Sequence, residues 1–273
     1  MEKDMKEICL FGTKQSGKTT TATAIYGYIA VQKEVVPVVK FNDQGEMFVE
    51  YADGTGFKFD IDTQEENIRT FYAHNVYKYV MHASYADKLK HVVSLMFGVP
   101  LEKLYGSDDD KNSPSEITWK MMNKLVDTSY YKGKHKVNDP MTYRQLLEVF
   151  GTDVLRVIDP DVHIKGAFKT LEKWQPEVAI LPDGRFLNEF EFCEKRKLAD
   201  PDNVCLIKHS RNVLKSSAKS ENGLKNIDND RYDLIVPDDL NMIEKNELVI
   251  KYLVDNNFLE NKKVKIDHAS TVS

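Results

Sequence analysis

The sequence predicts an α/β protein, with a parallel sheet covered by helices on both faces. Three observations carry this. Short apolar runs alternate with longer amphipathic stretches, beginning with Ile8-Cys9-Leu10-Phe11 and then Thr20–Val31. Such alternation marks strands joined by helical crossovers. A glycine-bearing loop, Gly12-Thr13-Lys14-Gln15-Ser16-Gly17-Lys18-Thr19, stands between that strand and that helix. The 273 residues are 41% hydrophobic and 30% charged, an ordinary balance for a globular chain long enough for one large domain with insertions.

The loop after the first strand reads G-x-x-x-x-G-K-T, the Walker A pattern, in the strand–loop–helix setting where the pattern has chemical meaning. Gly12 and Gly17 allow a tight turn that brings backbone N–H groups onto phosphate oxygens. The N-terminus of the following helix adds positive dipole at the same place. Lys18 can reach terminal phosphates as a point charge, and the Thr19 hydroxyl can ligate a magnesium ion that also holds phosphate oxygens. The sheet is therefore expected to be of the P-loop NTPase type. Gly12, Lys14, Ser16, Gly17, Lys18, Thr19 and Thr20 are the candidates to hold a nucleotide's phosphates.

The first helix is expected to end near Gln32-Lys33. Three alternating β-rich segments follow, Val35–Phe41, Met47–Tyr51 and Phe57–Ile61, separated by the turn signals Asn42-Asp43-Gln44-Gly45 and Ala52-Asp53-Gly54-Thr55-Gly56. They read as an antiparallel β-hairpin insertion over 33–62, beside the main sheet. Val76–Ala83 is the next strand. It leads into a helix with Leu89, Val92, Val93, Leu95 and Met96 at helical spacing, ended by Gly98 and Pro100. Residues 106–140 are polar and irregular, with a helix expected over Glu116–Val126 and a mobile stretch over Tyr130–Asp139. Asp108-Asp109-Asp110 reads as a solvated loop, because three adjacent carboxylates cannot all face one ion from a regular element. Thr142–Phe150 reads as a helix stopped by Gly151, with Thr152-Asp153 capping a new one. Val162–Trp174 is another amphipathic helix. Val178-Ala179-Ile180-Leu181 is a strand running into Pro182-Asp183-Gly184-Arg185. Asn188–Arg196 is a helix, Val204–Lys208 a strand, Asn212–Asn229 loop and short helix, Tyr232–Val236 the last strand and Leu240–Leu253 the closing helix. Asn256–Ser273 is expected as a charged tail of low order.

A net charge of −5 argues against non-specific binding of nucleic acid or membrane by the whole surface. Met1-Glu2-Lys3-Asp4 is charged, so no signal peptide is expected, and no apolar run approaches membrane-spanning length. Cys9, Cys193 and Cys205 lack C-x-x-C spacing and read as buried reduced thiols of a cytoplasmic protein. The seven histidines show no metal-ligand spacing, and His82 and His163 are expected to be structural.

In a parallel sheet, ligands sit at the carboxyl ends of the strands. Lys18, Asp87 and Asp183 each follow a strand and are expected to meet at that edge. Asp87 suits an acid that accepts a proton from, or positions, an acceptor group, and equally suits a plain helix N-cap. Asp183 suits a magnesium-holding acid and equally a turn Asp before Gly184. Arg185 and Arg156 have the planar fork that clamps phosphates, although most arginines only pair on the surface.

Four stretches together resemble the bacteriophage deoxynucleoside monophosphate kinases, a branch of the P-loop kinases. Gly12-Thr13-Lys14-Gln15-Ser16-Gly17-Lys18 is similar to that family's G-x-K-x-S-G-K. Tyr85-Ala86-Asp87-Lys88-Leu89-Lys90 resembles F-A-D-x-L-K. Arg144-Gln145-Leu146-Leu147-Glu148 with Gly151-Thr152-Asp153-Val154-Leu155-Arg156 resembles R-x-L-L-Q followed by G-T-D-x-x-R. Asp183-Gly184-Arg185-Phe186-Leu187-Asn188-Glu189 resembles D-x-R-F-x-N-E, and Ser220-Glu221 is a weaker echo. Order and spacing agree over roughly residues 7 to 236. The chain departs from the pattern at Thr19-Thr20, where the family often has Asp then Thr, at Leu187 in place of proline and at His163 in place of tryptophan. These departures bear on substrate choice more than on phosphoryl chemistry.

The resemblance implies a single kinase domain over 1–273, with the β-rich insertion 33–62 and a substrate and lid region over 106–170. It implies transfer of the terminal phosphoryl of ATP, with magnesium, to a deoxynucleoside monophosphate for DNA precursor supply. It also implies a phage protein in the host cytoplasm, often a homodimer, with neither membrane nor direct nucleic-acid partners. Lys18, Asp87 and Arg185 become the candidate catalytic residues. Asp87, Lys88, Arg144, Asp153 and Arg156 become the acceptor-binding set, and Thr19 and Asp183 the magnesium ligands. A different small-molecule P-loop kinase, or an NTP-driven switch without an acceptor, is the alternative.

Overall fold

A computed structural model describes residues 5–42, 46–51, 53–122, 136, 138–211, 223–261 and 266–268, the last three as backbone. The chain divides into two compact units. The first comprises residues 1–61, 67–84 and 170–273, and the second residues 62–66 and 85–169.

The first unit is built on a five-stranded parallel sheet. Its strands are β1 (Lys6–Gly12), β5 (Val80–His82), β8 (Val178–Gly184), β9 (Val204–His209) and β10 (Leu234–Val236). They lie side by side in the order β5-β8-β1-β9-β10. The chain thus starts in the middle, lays down the outer strand β5 on one side, returns to fill the gap with β8, and then crosses to the other side through β9 and β10. β1 stands at that switch point, where doubly wound sheets bind their ligands.

Alternation along β1 sends side chains to both faces. Ile8 and Leu10 share a buried cluster with Ile25 and Ile29 of helix α1 (Lys18–Gln32) and with Val249 and Leu253 of the closing helix, Met242–Asp255. Phe11 points the other way, its ring 5.3 Å from Phe190 of the helix Leu187–Ala199 and 6.1 Å from Tyr232. Helices therefore cover both faces. Burying each large apolar side chain contributes about 1.5–3 kcal/mol. Continuous rather than alternating burial along β1, β8 and β9 is what a doubly covered parallel sheet demands.

The expected antiparallel excursion is present as β2 (Val39–Phe41), β3 (Met47–Glu50) and β4 (Gly56–Phe59), paired in sequence order. It packs on α1, where Gly27 leaves the space that Met47 occupies. A short strand at 266–268 adds in parallel to β2, so the C-terminal stretch is not wholly the loose tail its charge suggests. Phe258 and Leu259 are buried as well.

Two more expectations need correction in the first unit. The strand over Val76–Ala83 is confined to Val80–His82, because Val76–Tyr79 form a turn. The helix α2 (Glu66–Asn75) before it was not anticipated. It fully buries Tyr72 and packs Ile68 and Phe71 against the same core, an i, i+3, i+4 signal that the sequence reading passed over.

The second unit has its own core around Val93, Leu104, Met141, Leu146 and Val149. Its elements are α3 (Asp87–Phe97), α4 (Leu101–Tyr105), α5 (Asp108–Asn112), β6 (Pro114–Thr118), β7 (Pro140–Thr142) and α6 (Tyr143–Glu148). A π-helical turn, Val149–Leu155, and α7 (Arg156–Ile158) continue directly from α6. The α3 face differs from expectation. Leu89 and Val93 are buried, but Val92, Leu95 and Met96 are exposed, Leu95 at 85%.

The triple aspartate lies on α5 rather than in a loop. Ser107 caps that helix, and Asp110 pairs with Lys103 at 2.6 Å, which with Ser107 holds its carboxyl down at about 2. Where a helix was expected from Glu116, β6 pairs antiparallel with β7. Residues 119–122 form a turn, and 123–126 and most of Tyr130–Asp139 lie outside the described residues, as do 43–45, Ala52, 212–222 and the Ser220-Glu221 echo. Gly151 does not stop a helix. It sits within the π-helical turn, and a Cβ there would lie 2.7 Å from Leu89. Its smallness serves close packing against α3, and His163 bonds its carbonyl at 3.2 Å.

Candidate functional site

The site starts from the loop after β1. Gly12, Gln15 and Gly17 have φ of +149°, +59° and +93°. Left-handed residues interspersed in a short loop curl its N–H groups into a concavity. Gly12 cannot be replaced freely, since a Cβ would stand 2.6 Å from the carbonyl oxygen of His209 on the neighbouring strand. Gly17 is the N-cap of α1, and no side chain caps that helix, so a helix N-terminus opens directly behind the loop.

Lys18 is the first residue of α1 and is buried. Its ammonium donates to the carbonyls of Gly12 (2.8 Å) and Thr13 (2.6 Å) and to Ser16 Oγ (3.2 Å). It is thus held inside the loop by the loop's own acceptors. Ser16 is buried, whereas Lys14 and Thr20 are half-buried and Thr19 is exposed.

The same sheet edge brings in other strands. Phe11 is in register with Gly184, so Asp183 lies beside the start of the loop. Ser84, just past β5, donates to Asp183 Oδ2 at 2.5 Å. Arg185 follows, with its N–H and that of Phe186 both donating to the buried Glu189 carboxylate at 2.8 and 3.0 Å. This fixes the Arg185 backbone, and its guanidinium forms no ion pair with any other described residue. Lys18, Asp183 and Arg185 therefore belong to one edge, as expected for the first and second.

His209 and Arg211 were missed by sequence reasoning. Gly12 is in register with His209, whose ring is buried beneath the loop. Burial pushes its imidazole down to about 3, with further repulsion from Lys18 and Lys245, so it is neutral at ordinary pH. Arg211 donates to the Lys14 carbonyl at 2.8 Å and to Gln15 Oε1 at 3.2 Å, bracing the loop from outside. Their position just after an apolar strand was the available signal.

The remaining candidates are in the second unit. Asp87 is the first residue of α3, and the N-cap is Ala86, so the plain N-cap reading of Asp87 does not hold. Asp87 Oδ1 accepts from the Tyr105 hydroxyl at 3.1 Å, and its carbonyl meets His91 Nδ1 at 2.9 Å. Lys88 is exposed and lies against Gly166. Arg144 pairs with Asp108 at 2.7 Å and donates to Asn112 at 2.8 Å. Asp153 sits within the π-helical turn rather than capping a fresh helix, and Arg156 donates to the Pro160 carbonyl at 3.3 Å. α3, α6 and the π-helical turn pack on one another, so Asp87, Lys88, Arg144 and Asp153 stand on elements of one small core.

Comparison of the chain with family models, with curated proteins and with solved structures finds no match in any of the three. Among the described residues no helix is long and apolar enough to cross a membrane. The free thiols Cys9, Cys193 and Cys205 are buried. A cavity of about 330 Å³ lies at the opposite, amino-terminal edge of the sheet. Lys6, Lys33, Tyr79, Glu177 and Phe258 help to line it, and it is separate from the loop.

Proposed function

We propose that the protein is an ATP-dependent kinase that converts a deoxynucleoside monophosphate to the diphosphate. One observation carries the reading. At the carboxyl end of the central strand, a concave loop holds the Lys18 ammonium within it and has an uncapped helix N-terminus behind it. Curled N–H groups, a helix dipole and a cation aimed at one spot suit a polyphosphate.

In this reading the loop from Gly12 to Thr20 holds the donor's phosphates. Lys18 exchanges the carbonyls of Gly12 and Thr13 for phosphate oxygens that gain charge in the transition state. Arg185, backbone-fixed and without an ion-pair partner among the described residues, stabilises the transferring phosphoryl. The exposed Thr19 hydroxyl and the Asp183 carboxylate fit a magnesium ion, which takes hard oxygen donors, often one or two from protein and the rest from phosphate and water. When bound, that ion offsets charge on the phosphate oxygens. Asp87, Lys88, Arg144, Asp153 and Arg156 take the acceptor, with Asp87 orienting it.

The resemblance of four sequence stretches to phage deoxynucleoside monophosphate kinases supports this choice of acceptor. The test is ATP consumption measured alone and with each deoxynucleoside monophosphate, with the nucleotide products identified. A kinase consumes ATP slowly alone and steeply faster with its acceptor, since water is a poor substitute for a positioned phosphate. Steady ATP hydrolysis with no phosphorylated nucleotide would replace the kinase reading with an NTP-driven switch.

A further inference from the structure

His209 ends β9, and its side chain is 2% exposed. Neither Nδ1 nor Nε2 of its ring has a hydrogen-bond partner among the described residues. Thr13 Oγ1, in the loop above it, is buried without a partner as well. Folded proteins leave few buried polar groups unpaired, because each costs about 1–3 kcal/mol. Two such groups at one loop point to a contact that this loop makes when it is at work.

Geometry ties the ring to both loop glycines. The His209 carbonyl oxygen and Cβ stand 2.6 and 3.3 Å from the point where a Cβ would sit on Gly12, and Ser16 Oγ stands 2.9 Å from that same point. His209 Nδ1 stands 3.9 Å from the corresponding point on Gly17, and Met242 of the closing helix closes in at 3.0 Å. The imidazole is thus wedged between strand, loop and closing helix, with Ser16 as its polar neighbour. Lys18 reaches that serine too, at 3.2 Å from Oγ, besides the carbonyls of Gly12 and Thr13. When the ammonium turns to phosphate oxygens, these acceptors lose their donor. A neutral imidazole has one N–H to give, and here it is unspent.

We propose that His209 is a positioning residue for the loop: as Lys18 turns to a polyphosphate, the imidazole Nδ1–H donates to Ser16 and holds the loop concave around the phosphates. The proposal rests on the phosphate-loop part of the kinase reading and not on the identity of the acceptor. Because the bond is made only with ligand in place, it counts towards binding rather than towards the free fold.

Calorimetric titration of the full chain with ATP and with inorganic tripolyphosphate, each with magnesium, tests this. His209→Leu replaces the ring by an apolar side chain and should weaken both probes about tenfold, the upper worth of one neutral hydrogen bond. Its melting temperature at neutral pH should equal or exceed that of the wild type, because an unpaired buried polar group is gone. His209→Asn puts an amide N–H where Nδ1 stands and should recover most of the affinity, whereas His209→Gln, whose amide stands where Nε2 does, should not. In a Lys18→Ala background Lys18 gives nothing to Ser16 with or without ligand, so adding His209→Leu should change affinity little.

Equal affinity in wild type and His209→Leu overturns the proposal. So does an equal loss in the Lys18→Ala background, which marks a merely structural role, or a loss for ATP without one for tripolyphosphate. Where His209→Leu fails to fold, equal affinities of His209→Asn and His209→Gln overturn it. A wild type that binds neither probe overturns both this role and the phosphate loop. The expected pattern in a protein that forms no diphosphate retains His209 and removes the kinase reading. Diphosphate formation with an unchanged KM for ATP in His209→Leu does the reverse.

Discussion

The carbonyl oxygen of His209 stands 2.6 Å from the point where a Cβ would sit on Gly12. Two strands and a loop therefore meet with no room for one methyl group, at a residue whose φ is +149°. Gly12→Ala should destabilise the protein by about 2–4 kcal/mol, combining backbone strain with overpacking. Thermal unfolding checks this. An unchanged melting temperature would mean that the loop and β9 part easily.

Lys18→Ala removes a charge that the loop alone holds in place. Turnover with ATP and acceptor should fall roughly 10²–10³-fold, the usual loss when one preorganised stabiliser of transition-state charge is removed. The fold should stay intact, with stability lowered by about 1–3 kcal/mol, because the Gly12 carbonyl and the Ser16 hydroxyl lose a buried donor. Steady-state kinetics beside a melting curve separate the two effects. Near-normal turnover would reject the nucleotide role of the loop.

Asp87→Asn should leave the melting temperature almost unchanged. The N-cap position is Ala86, one residue earlier, so no capping bond is lost, and the amide oxygen can still accept from Tyr105. Acceptor-stimulated turnover should drop while ATP affinity survives. Retention of full stimulated turnover would remove Asp87 from the reaction.

His209 gives an acid-side prediction. Its imidazole titrates near 3 in the folded chain against an ordinary 6.5. Above 6.5 both folded and unfolded chains hold it neutral, and its full contribution to stability is present. As pH falls from 6.5 towards 3 the unfolded chain takes up the proton first, so stability declines, by about 3 kcal/mol at pH 4 from this group. His209→Gln should flatten that part of the stability profile. Denaturant titrations at several pH values measure it, and identical slopes for the two proteins would exclude His209 as the source.

The strand, loop and helix at the start of the chain could be read from the sequence because their signals are local. An apolar run, a glycine loop and a helix stand consecutively, and Val162–Trp174 was bounded correctly because its apolar periodicity is strong. What escaped depends on partners distant in sequence. β6 becomes a strand only by pairing with β7, more than twenty residues on. Gly151 looks like a helix stop until Leu89 is seen against it. The lowered imidazole pKa of His209 comes from burial and from cations on other elements. Asp87 is clear as a residue that follows a strand, but its tie to Tyr105 is not.

The three thiols offer a different kind of handle. Cys9, Cys193 and Cys205 lie in or against the parallel sheet, all inaccessible, and contact with Cys193 together with burial pushes the Cys9 thiol far up. No alkylating reagent can reach them until the sheet and its covering helix separate. Cys9 lies on the strand that ends in the Gly12–Lys18 loop, so its labelling rate is a clock for the opening of that edge. A ligand gripping the loop slows the clock, and the ratio of rates gives its binding strength without any enzymatic assay.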